Sequence, residues 1–265
     1  MGRVAVGIEY DGAAFHGWQE QAHCHSVQAE LEAALATVAG HPVSLTVAGR
    51  TDSGVHARGQ VAHFDTPSMR LARGWVLGTN AHLSQAVSLA WARHVPDHFH
   101  ARYSATARSY CYLVLNRQSR SALAAGRCHV AHKPLDAAAM QAAADMLVGL
   151  HDFSGFRAAE CQARSPVRRL MALRATRTGD WVRIEATANA FLHHMVRNLV
   201  GLLLEVGKGA APPERAREQL ESRQRRLGAP TAPAHGLYFW QAHYPPQFGL
   251  PGDSAMIDAP ELPTG

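Results

Sequence analysis

The residues best suited by type and spacing to chemistry lie in a glycine-rich loop at 49–56, which reads Gly-Arg-Thr-Asp-Ser-Gly-Val-His. Gly49 and Gly54 permit backbone geometries that other residues resist, so an aspartate held between them can project into a cleft. Asp52 is therefore a candidate catalytic carboxylate. A simpler interpretation of the loop alone is an Asp-Ser-Gly turn in which the Asp52 side chain bonds its own backbone.

Two further candidates lie far from this loop in the sequence. A narrow polar stripe recurs at helical spacing in the apolar segment 189–206 and comprises His193, His194, Arg197, Asn198 and Gly201. Such a stripe is more typical of a helix that faces a cleft or a partner than of one that faces bulk water, which makes Arg197 and His193 candidates for contacts with a substrate. Tyr110 lies on a strand-like segment, and its residue type and position alone favour a tyrosine packed in the core.

Other polar residues near the loop are candidates for binding. Arg50 and Arg58 flank Asp52, where they would contact phosphate or support the loop, and the phosphate role is favoured. Gln19 could hydrogen-bond a nucleic acid or satisfy backbone groups of its own loop. The segment 23–25, His-Cys-His, lacks a second pair of ligands at useful spacing, so no metal site is expected there.

The composition is that of an ordinary globular protein with a basic excess. Hydrophobic residues make up 47% and charged residues 18% of the 265 positions, which excludes a disordered chain. The formal net charge is +5, and arginines gather in 164–183 and 215–226. This pattern suits a polyanionic partner such as nucleic acid, although a solvated basic surface is an equal alternative on charge alone.

Cysteine usage and the start of the chain indicate the compartment. The four cysteines form no CxxC motif, and Met1 leads directly into a strand-like pattern rather than a secretory signal. We therefore expect a cytoplasmic protein with free thiols. The segment 189–206 carries too many polar groups for a membrane span.

Hydrophobic periodicity predicts two halves with the same order of elements. In the first half, alternating strands are predicted near 4–10, 43–47, 61–65 and 87–93, with helices over 27–38 and 68–83. The order is β-α-β-β-α-β, the ferredoxin-like or RRM-like arrangement. We therefore expect an α+β protein with a mostly antiparallel central sheet.

The second half repeats this order without any residue-level repeat. Strands are predicted over 107–116 and 127–132, near 167–177 and 180–187, and over 237–242, with helices over 136–149 and 189–206. The predicted domains are 1–104 with the aspartate loop and 105–245 with Tyr110 and Arg197, followed by a loosely ordered tail at 246–265. An active-site cleft is expected between the two halves.

A series of ordered motifs runs along nearly the whole chain, from Tyr10 to about Tyr244. The motifs are Tyr10-Asp11-Gly12, Phe15-His16-Gly17-Trp18-Gln19, Gly49-Arg50-Thr51-Asp52, Arg108-Ser109-Tyr110, Gly149-Leu150-His151-Asp152-Phe153 and Met195-Val196-Arg197-Asn198. In these motifs the sequence resembles the TruA family of tRNA pseudouridine synthases, which act on positions 38 to 40 of the anticodon stem-loop. Ser84 departs from the family pattern, in which proline is usual, and the tail at 246–265 looks longer.

The resemblance implies a role for each of three residues. The catalytic aspartate of the family falls on Asp52, its active-site tyrosine on Tyr110, and the basic residue that pairs with the aspartate on Arg197. It also implies a homodimer that binds tRNA across both subunits. Isomerising uridine requires no net oxidation or group transfer, so no cofactor or metal is expected.

The chemistry of the reaction suits these residue types. The C1′–N1 bond must break and a C5–C1′ bond must form, and a carboxylate can attack C1′, stabilise positive charge there or remove a nearby proton. An aromatic ring at Tyr110 can stack on a base that has left its helix, and its hydroxyl could take part in proton transfer.

Two other classes of protein have to be weighed. An RRM-type binding module would fit two ferredoxin-like halves with a basic surface, but it has no use for a carboxylate in a cationic cleft, and the RRM aromatic signature is missing. A carboxylate-metal nuclease would need more acidic residues near Asp52 than the sequence provides.

Overall fold

A computed structural model describes residues 2–251 of the chain. The elements, in chain order, are β1 (Gly2–Tyr10), α1 (Val27–Ala39), β2 (Thr46–Val47), β3 (His56–Thr66), α2 (Ala72–Asn80), β4 (Val87–Val95), β5 (Ala107–Asn116), β6 (His129–Ala131), α3 (Ala137–Asp145), β7 (Gly149–Asp152), β8 (Val167–Thr178), β9 (Trp181–Ala188), α4 (Met195–Gly207), α5 (Arg215–Ser222) and β10 (Leu237–His243). The protein is of the mixed α+β class, and most of its strand pairs are antiparallel.

The chain forms two compact units. The first unit comprises residues 2–106 and 238–251, and the second comprises residues 107–237. The tyrosine of the Arg-x-Tyr motif and the arginine of the Met-Val-Arg-Asn motif therefore lie in the second unit, while Asp52 lies in the first.

In the first unit, β1 is the central strand. It pairs antiparallel with β3 on one side and with β4 on the other, and Val4, Val6 and Ile8 are fully buried. β2 pairs antiparallel with β3, and β10 pairs with β3 in parallel. Helix α1 begins after Ser26, whose hydroxyl accepts the Ala29 amide hydrogen, and it ends at Gly40.

In the second unit, the strand order is β5-β9-β8-β7, and every pair in that row is antiparallel. Helix α3 begins after Asp136, whose side chain accepts two amide hydrogens of the first turn. Helix α4 is the most apolar helix of this unit, and it packs against α3. Its leucines and valines are almost wholly buried, so α4 forms the centre of this core.

The periodicity found most elements, but it placed the start of α4 too early. The predicted helix over 189–206 begins only at Met195. Residue His194 adopts the left-handed conformation, with φ near 60°, and the backbone of His193 bonds instead to the loop at 158–161. These tertiary bonds replace the helical bonds that the apolar pattern predicted. The short strand β7 and the helix α5 were not predicted.

The end of the chain is described only in part. Pro246–Phe248 form one turn of 3-10 helix, and Phe248 is buried against Phe99. Residues 252–265 of the predicted tail lie outside the described residues. Among the described residues, no helix has both the length and the apolar character needed to cross a membrane.

Candidate active site

The loop that carries Asp52 is held against the segment that follows β1. The Trp18 amide donates to the Thr51 carbonyl at 3.0 Å. Gly17 adopts φ of +95°, and a Cβ atom there would lie 2.9 Å from the Thr51 carbonyl oxygen and 3.2 Å from the Asp52 carbonyl carbon. A glycine is therefore required where this segment crosses the loop.

A second close approach lies at the other end of the loop. A Cβ atom at Gly12 would lie 2.1 Å from the carbonyl oxygen of Val55, so only glycine lets the two backbones meet. Behind Val55, the Nδ1 atom of buried His56 lies 3.1 Å from both the Gly12 amide nitrogen and an Asp11 carboxylate oxygen. The imidazole can accept from the amide or donate to the carboxylate through that nitrogen, depending on its protonation state.

Buried hydrogen bonds support the loop from below. The Tyr10 hydroxyl and the Thr51 hydroxyl lie 2.7 Å apart, and the Gln60 amide donates to the Gly49 carbonyl at 2.8 Å. Burial raises the pKa of Tyr10 to about 12, so its hydroxyl stays protonated at neutral pH. Since the polar groups beneath the loop are bonded to one another, the loop has a defined conformation.

Asp52 itself is half-buried at the tip of this loop. The turn closes through a backbone bond, in which the Val55 amide donates to the Asp52 carbonyl at 3.1 Å, and Gly54 supplies the left-handed residue with φ of +77°. The Asp-Ser-Gly turn is thus real, but it is closed by backbone atoms.

Arg197 is held by one residue of a loop that follows α5. The Ala232 amide donates to the Arg197 carbonyl at 3.1 Å, and Arg197 Nε donates to the Ala232 carbonyl at 2.8 Å. Both the backbone and the side chain of Arg197 are therefore bonded to Ala232. Burial, together with the positive charge of Arg197, lowers the pKa of His235, so this imidazole is neutral at pH 7.

Tyr110 lies on β5 and is half-buried. It shares its sheet face with Ala186 of β9, and its ring meets the ring of Phe191 edge to face, with centroids 5.1 Å apart. This contact fixes the plane of the tyrosine ring. Tyr110 is thus oriented by a residue of the 189–194 segment that sequence periodicity had assigned to a helix.

The polar stripe predicted on α4 is wrong for two of its members. Asn198 is almost fully buried, and its side chain bonds the Phe156 carbonyl and the Thr231 hydroxyl. Gly201 is buried too, and a Cβ atom there would lie 2.0 Å from the Pro230 carbonyl oxygen. The polar and small residues that follow Arg197 therefore form internal contacts rather than a face directed toward a cleft or a partner.

The remaining candidates lie in different surroundings. Arg50 is exposed beside the loop, whereas the Arg58 guanidinium lies 4.5 Å from the centroid of the Trp240 ring. The Gln19 amide donates to the Gln28 side chain at 2.9 Å. His193 is exposed, with its ring 4.0 Å from that of His194. Trp240 was not singled out from the sequence as a partner of Arg58, because no local spacing of residues indicates that contact.

The crossing at Gly17 gives a testable prediction. Gly17→Ala places a methyl group against the loop, so we expect Asp52 to shift. The rate of uridine isomerisation, the reaction that the motifs imply, should then fall by about 10- to 100-fold. Gly40→Ala is the matched control, since Gly40 is also left-handed, with φ of +77°, but has no atom within 4 Å of an added Cβ. Single-turnover rates and thermal unfolding would be compared for both variants. Equal losses of rate would contradict a special role for the crossing.

The loop at 49–56 is built on glycine crossings and carries a single acidic residue, Asp52, in a mixed α+β protein with a formal net charge of +5. A family model described as tRNA pseudouridine synthase matches residues 7–104 and 143–245. The chain therefore belongs to the tRNA pseudouridine synthase family, whose members are isomerases.

Several relatives are similar over nearly their full length, and each is named tRNA pseudouridine synthase A. The protein of Nitrosococcus oceani is 52% identical over 249 residues, which cover 94% of this chain and 96% of the relative. That of Aromatoleum aromaticum is 51% identical over 261 residues, covering 98% and 99%. That of Coxiella burnetii is 49% identical over 251 residues, covering 95% and 96%.

Proposed function

We propose that this protein isomerises uridine to pseudouridine at positions 38, 39 and 40 of the anticodon stem-loop of tRNAs, with Asp52 as the catalytic carboxylate. The observation that carries the proposal is the loop at 49–56. Two glycine crossings, a buried hydrogen-bond network and a turn closed by backbone atoms give it one conformation. A rigid loop that holds a carboxylate-bearing residue in one position is typical of a catalytic site.

The reaction breaks and forms bonds at C1′ of the ribose, so the enzyme needs a group that can act on that carbon or stabilise the charge that develops there. The C1′–N1 bond breaks, the base rotates, C5 joins C1′, and the proton lost from C5 is balanced by the proton gained at N1. Asp52 can attack C1′, stabilise positive charge there, or remove a nearby proton. Each of these routes requires an ionised carboxylate within reach of the ribose.

Arg197 is proposed to pair with Asp52, as the Met-Val-Arg-Asn motif implies. Its Nε atom is already used in the bond to the Ala232 carbonyl, so a carboxylate partner would be bound through the two Nη atoms. A guanidinium whose orientation is fixed in this way stabilises an anion better than a mobile one, because less entropy is lost on pairing.

Tyr110 is proposed to stack on the uracil after the nucleotide leaves its stack. The edge-to-face contact with Phe191 supports this role, because it fixes the plane of the ring against which a base would stack. Base stacking on an aromatic ring is independent of sequence, which suits an enzyme with three neighbouring target positions.

The other substrate contacts are proposed with different roles. Arg50 suits a phosphate contact, since it is exposed next to the catalytic loop. Arg58 and His193 are proposed to contact the tRNA backbone, with Arg58 oriented by Trp240. For Gln19, the bond to Gln28 favours support of its own loop, and the second amide hydrogen and the carbonyl oxygen are the groups that would contact RNA.

The finer architecture is proposed to be two ferredoxin-like halves. In the first unit, β1, β3 and β2 are neighbours in that order, with α1 and α2 as the connecting helices. In the second unit, β5, β9 and β8 repeat this arrangement, with α3 and α4. Domains at 1–104 and 105–245, an active-site cleft between them, a cytoplasmic homodimer and tRNA as the partner complete the proposal.

The test is to map pseudouridine in an unmodified tRNA transcript after incubation with the purified protein. Carbodiimide labelling followed by primer extension should detect pseudouridine at positions 38 to 40, and a transcript with cytidine at those positions should give none. Pseudouridine at other positions alone would refute the proposed target. No pseudouridine in any of several tRNAs would refute the activity.

A further inference from the structure

The loop that holds Arg197 is itself anchored by a partly buried polar cluster formed by Asn198, Thr231 and Arg225. The Thr231 hydroxyl donates to Asn198 Oδ1 at 2.7 Å, and it accepts from Arg225 Nη2 at 3.0 Å. Arg225 Nη2 also lies 3.0 Å from Asn198 Oδ1. Because the hydroxyl both donates and accepts, the three side chains form a closed set of hydrogen bonds.

Asn198 is the fixed member of this cluster. It lies one residue after Arg197 on α4, and only 1% of its surface is exposed. Its amide donates to the Phe156 carbonyl at 2.7 Å, so both ends of the side chain are bonded. Thr231 is therefore attached to a rigid point on the same helix that carries Arg197.

Ala232 is restrained from its other side as well. The Tyr112 hydroxyl donates to the carbonyl of Pro233 at 3.0 Å, and burial raises the pKa of Tyr112, which keeps this hydroxyl protonated. On the helix side, Gly201 lets the Pro230 carbonyl approach more closely than any other residue would allow. Ala232 thus lies between two anchored neighbours, Thr231 and Pro233.

We propose that Thr231 and Arg225 are positioning residues for Arg197. They hold the Ala232 carbonyl where it accepts from Arg197 Nε, and this bond directs the two Nη atoms of Arg197 toward the anion that it serves. The inference rests on the proposed function, in which Arg197 pairs with the catalytic carboxylate. It adds residues that lie outside the motif and that act through Arg197 rather than on the RNA.

The contacts of Arg225 favour this role over a phosphate contact. Burial lowers the pKa of its guanidinium, and the described hydrogen bonds of its side chain are to Asn198 and Thr231, both neutral. Its neighbour Arg226 bonds the Gln224 side chain instead and is exposed. A cation that served mainly to attract RNA would resemble Arg226, because exposure leaves the charge available to phosphate.

Thr231→Val removes the hydroxyl and keeps the shape of the side chain. We expect the single-turnover rate constant to fall by about 10-fold, with tRNA affinity within about two-fold of wild type, because the bound substrate meets a misplaced guanidinium. Thr231→Ser restores the hydroxyl and should recover most of the rate. Thr178→Val, at an exposed threonine at the end of β8, is the control.

The decisive readout is the effect of the same substitution when Arg197 is absent. In an Arg197→Ala background, with enzyme in excess so that slow turnover is measurable, Thr231→Val should cause no further loss. The inference would be overturned if the rate losses of Arg197→Ala and Thr231→Val multiplied in the double variant. It would also be overturned if the rate loss of Thr231→Val only matched the loss of folded protein measured by thermal unfolding. Weaker tRNA binding with an unchanged rate would overturn it too.

A second variant covers the case in which Thr231→Val does not fold. Arg225→Gln should lower the rate constant by about 10-fold, as expected for Thr231→Val. Arg226→Gln is its matched control and should leave the rate constant unchanged. Equal effects on the two arginines would overturn the inference. A fully active Arg197→Ala variant would instead refute the proposed role of Arg197, so the two failures are distinguishable.

Discussion

Asp52→Asn is expected to reduce the single-turnover rate constant by about 10³-fold or more while leaving the fold and tRNA binding intact. The amide has nearly the shape of the carboxylate but carries no charge, so it can neither attack C1′ nor stabilise positive charge there. The backbone bond that closes the turn does not involve the replaced atoms. Binding should be unchanged or slightly tighter, because a negative charge near phosphate is removed.

The matched control for this variant is Asp180→Asn. Asp180 also lies in a glycine-containing turn, next to Gly179, and its side chain is 57% exposed. We expect the wild-type rate from this control, since it changes the charge of the protein by the same amount. If the two variants had the same rate, the loss would reflect net charge and Asp52 would not be catalytic.

Arg197→Lys is expected to reduce the rate constant by about 100-fold, although the positive charge is kept. The three donors of a lysine ammonium lie on one tetrahedral nitrogen, so lysine cannot bond the Ala232 carbonyl and also present a planar two-nitrogen fork to a carboxylate. Affinity for tRNA should change little, and pre-steady-state kinetics would separate binding from chemistry.

Arg177→Lys is the control for this second variant. Arg177 also bonds backbone carbonyls through its guanidinium, at Leu135 and Gly179, but on an exposed part of β8. Its replacement should reduce stability slightly and leave the rate constant unchanged. A normal rate in Arg197→Lys would show that charge alone suffices at that position.

The sequence predicted the elements well where hydrophobic periodicity is local. β1, with its alternating Val4, Val6 and Ile8, and α1, with its Ser26 cap, both follow from short-range rules. Helix α4 was extended too far, because the segment before Met195 is bonded to the loop at 158–161, and no local pattern encodes such contacts.

The residues of the candidate site could be named from their motifs, whereas the contacts that hold them in place could not be predicted. Asp52, Tyr110 and Arg197 follow from the resemblance, but the crossing at Gly17 and the bond between Arg197 and Ala232 join residues that are more than 30 positions apart. Asn198 was assigned to the polar stripe, because the helical spacing of an amide does not indicate whether its hydrogen-bond partners are protein atoms or lie outside the protein.

The most direct test of the central claim is the pseudouridine content of an anticodon stem-loop transcript after incubation with excess enzyme and no added cofactor. Wild-type protein should convert the target uridine completely, as measured by mass spectrometry of nucleosides. Asp52→Asn at the same concentration, folded and bound to the transcript, should give no pseudouridine over the same period. Complete conversion by Asp52→Asn at the wild-type rate would contradict the assignment of the chemistry to that carboxylate.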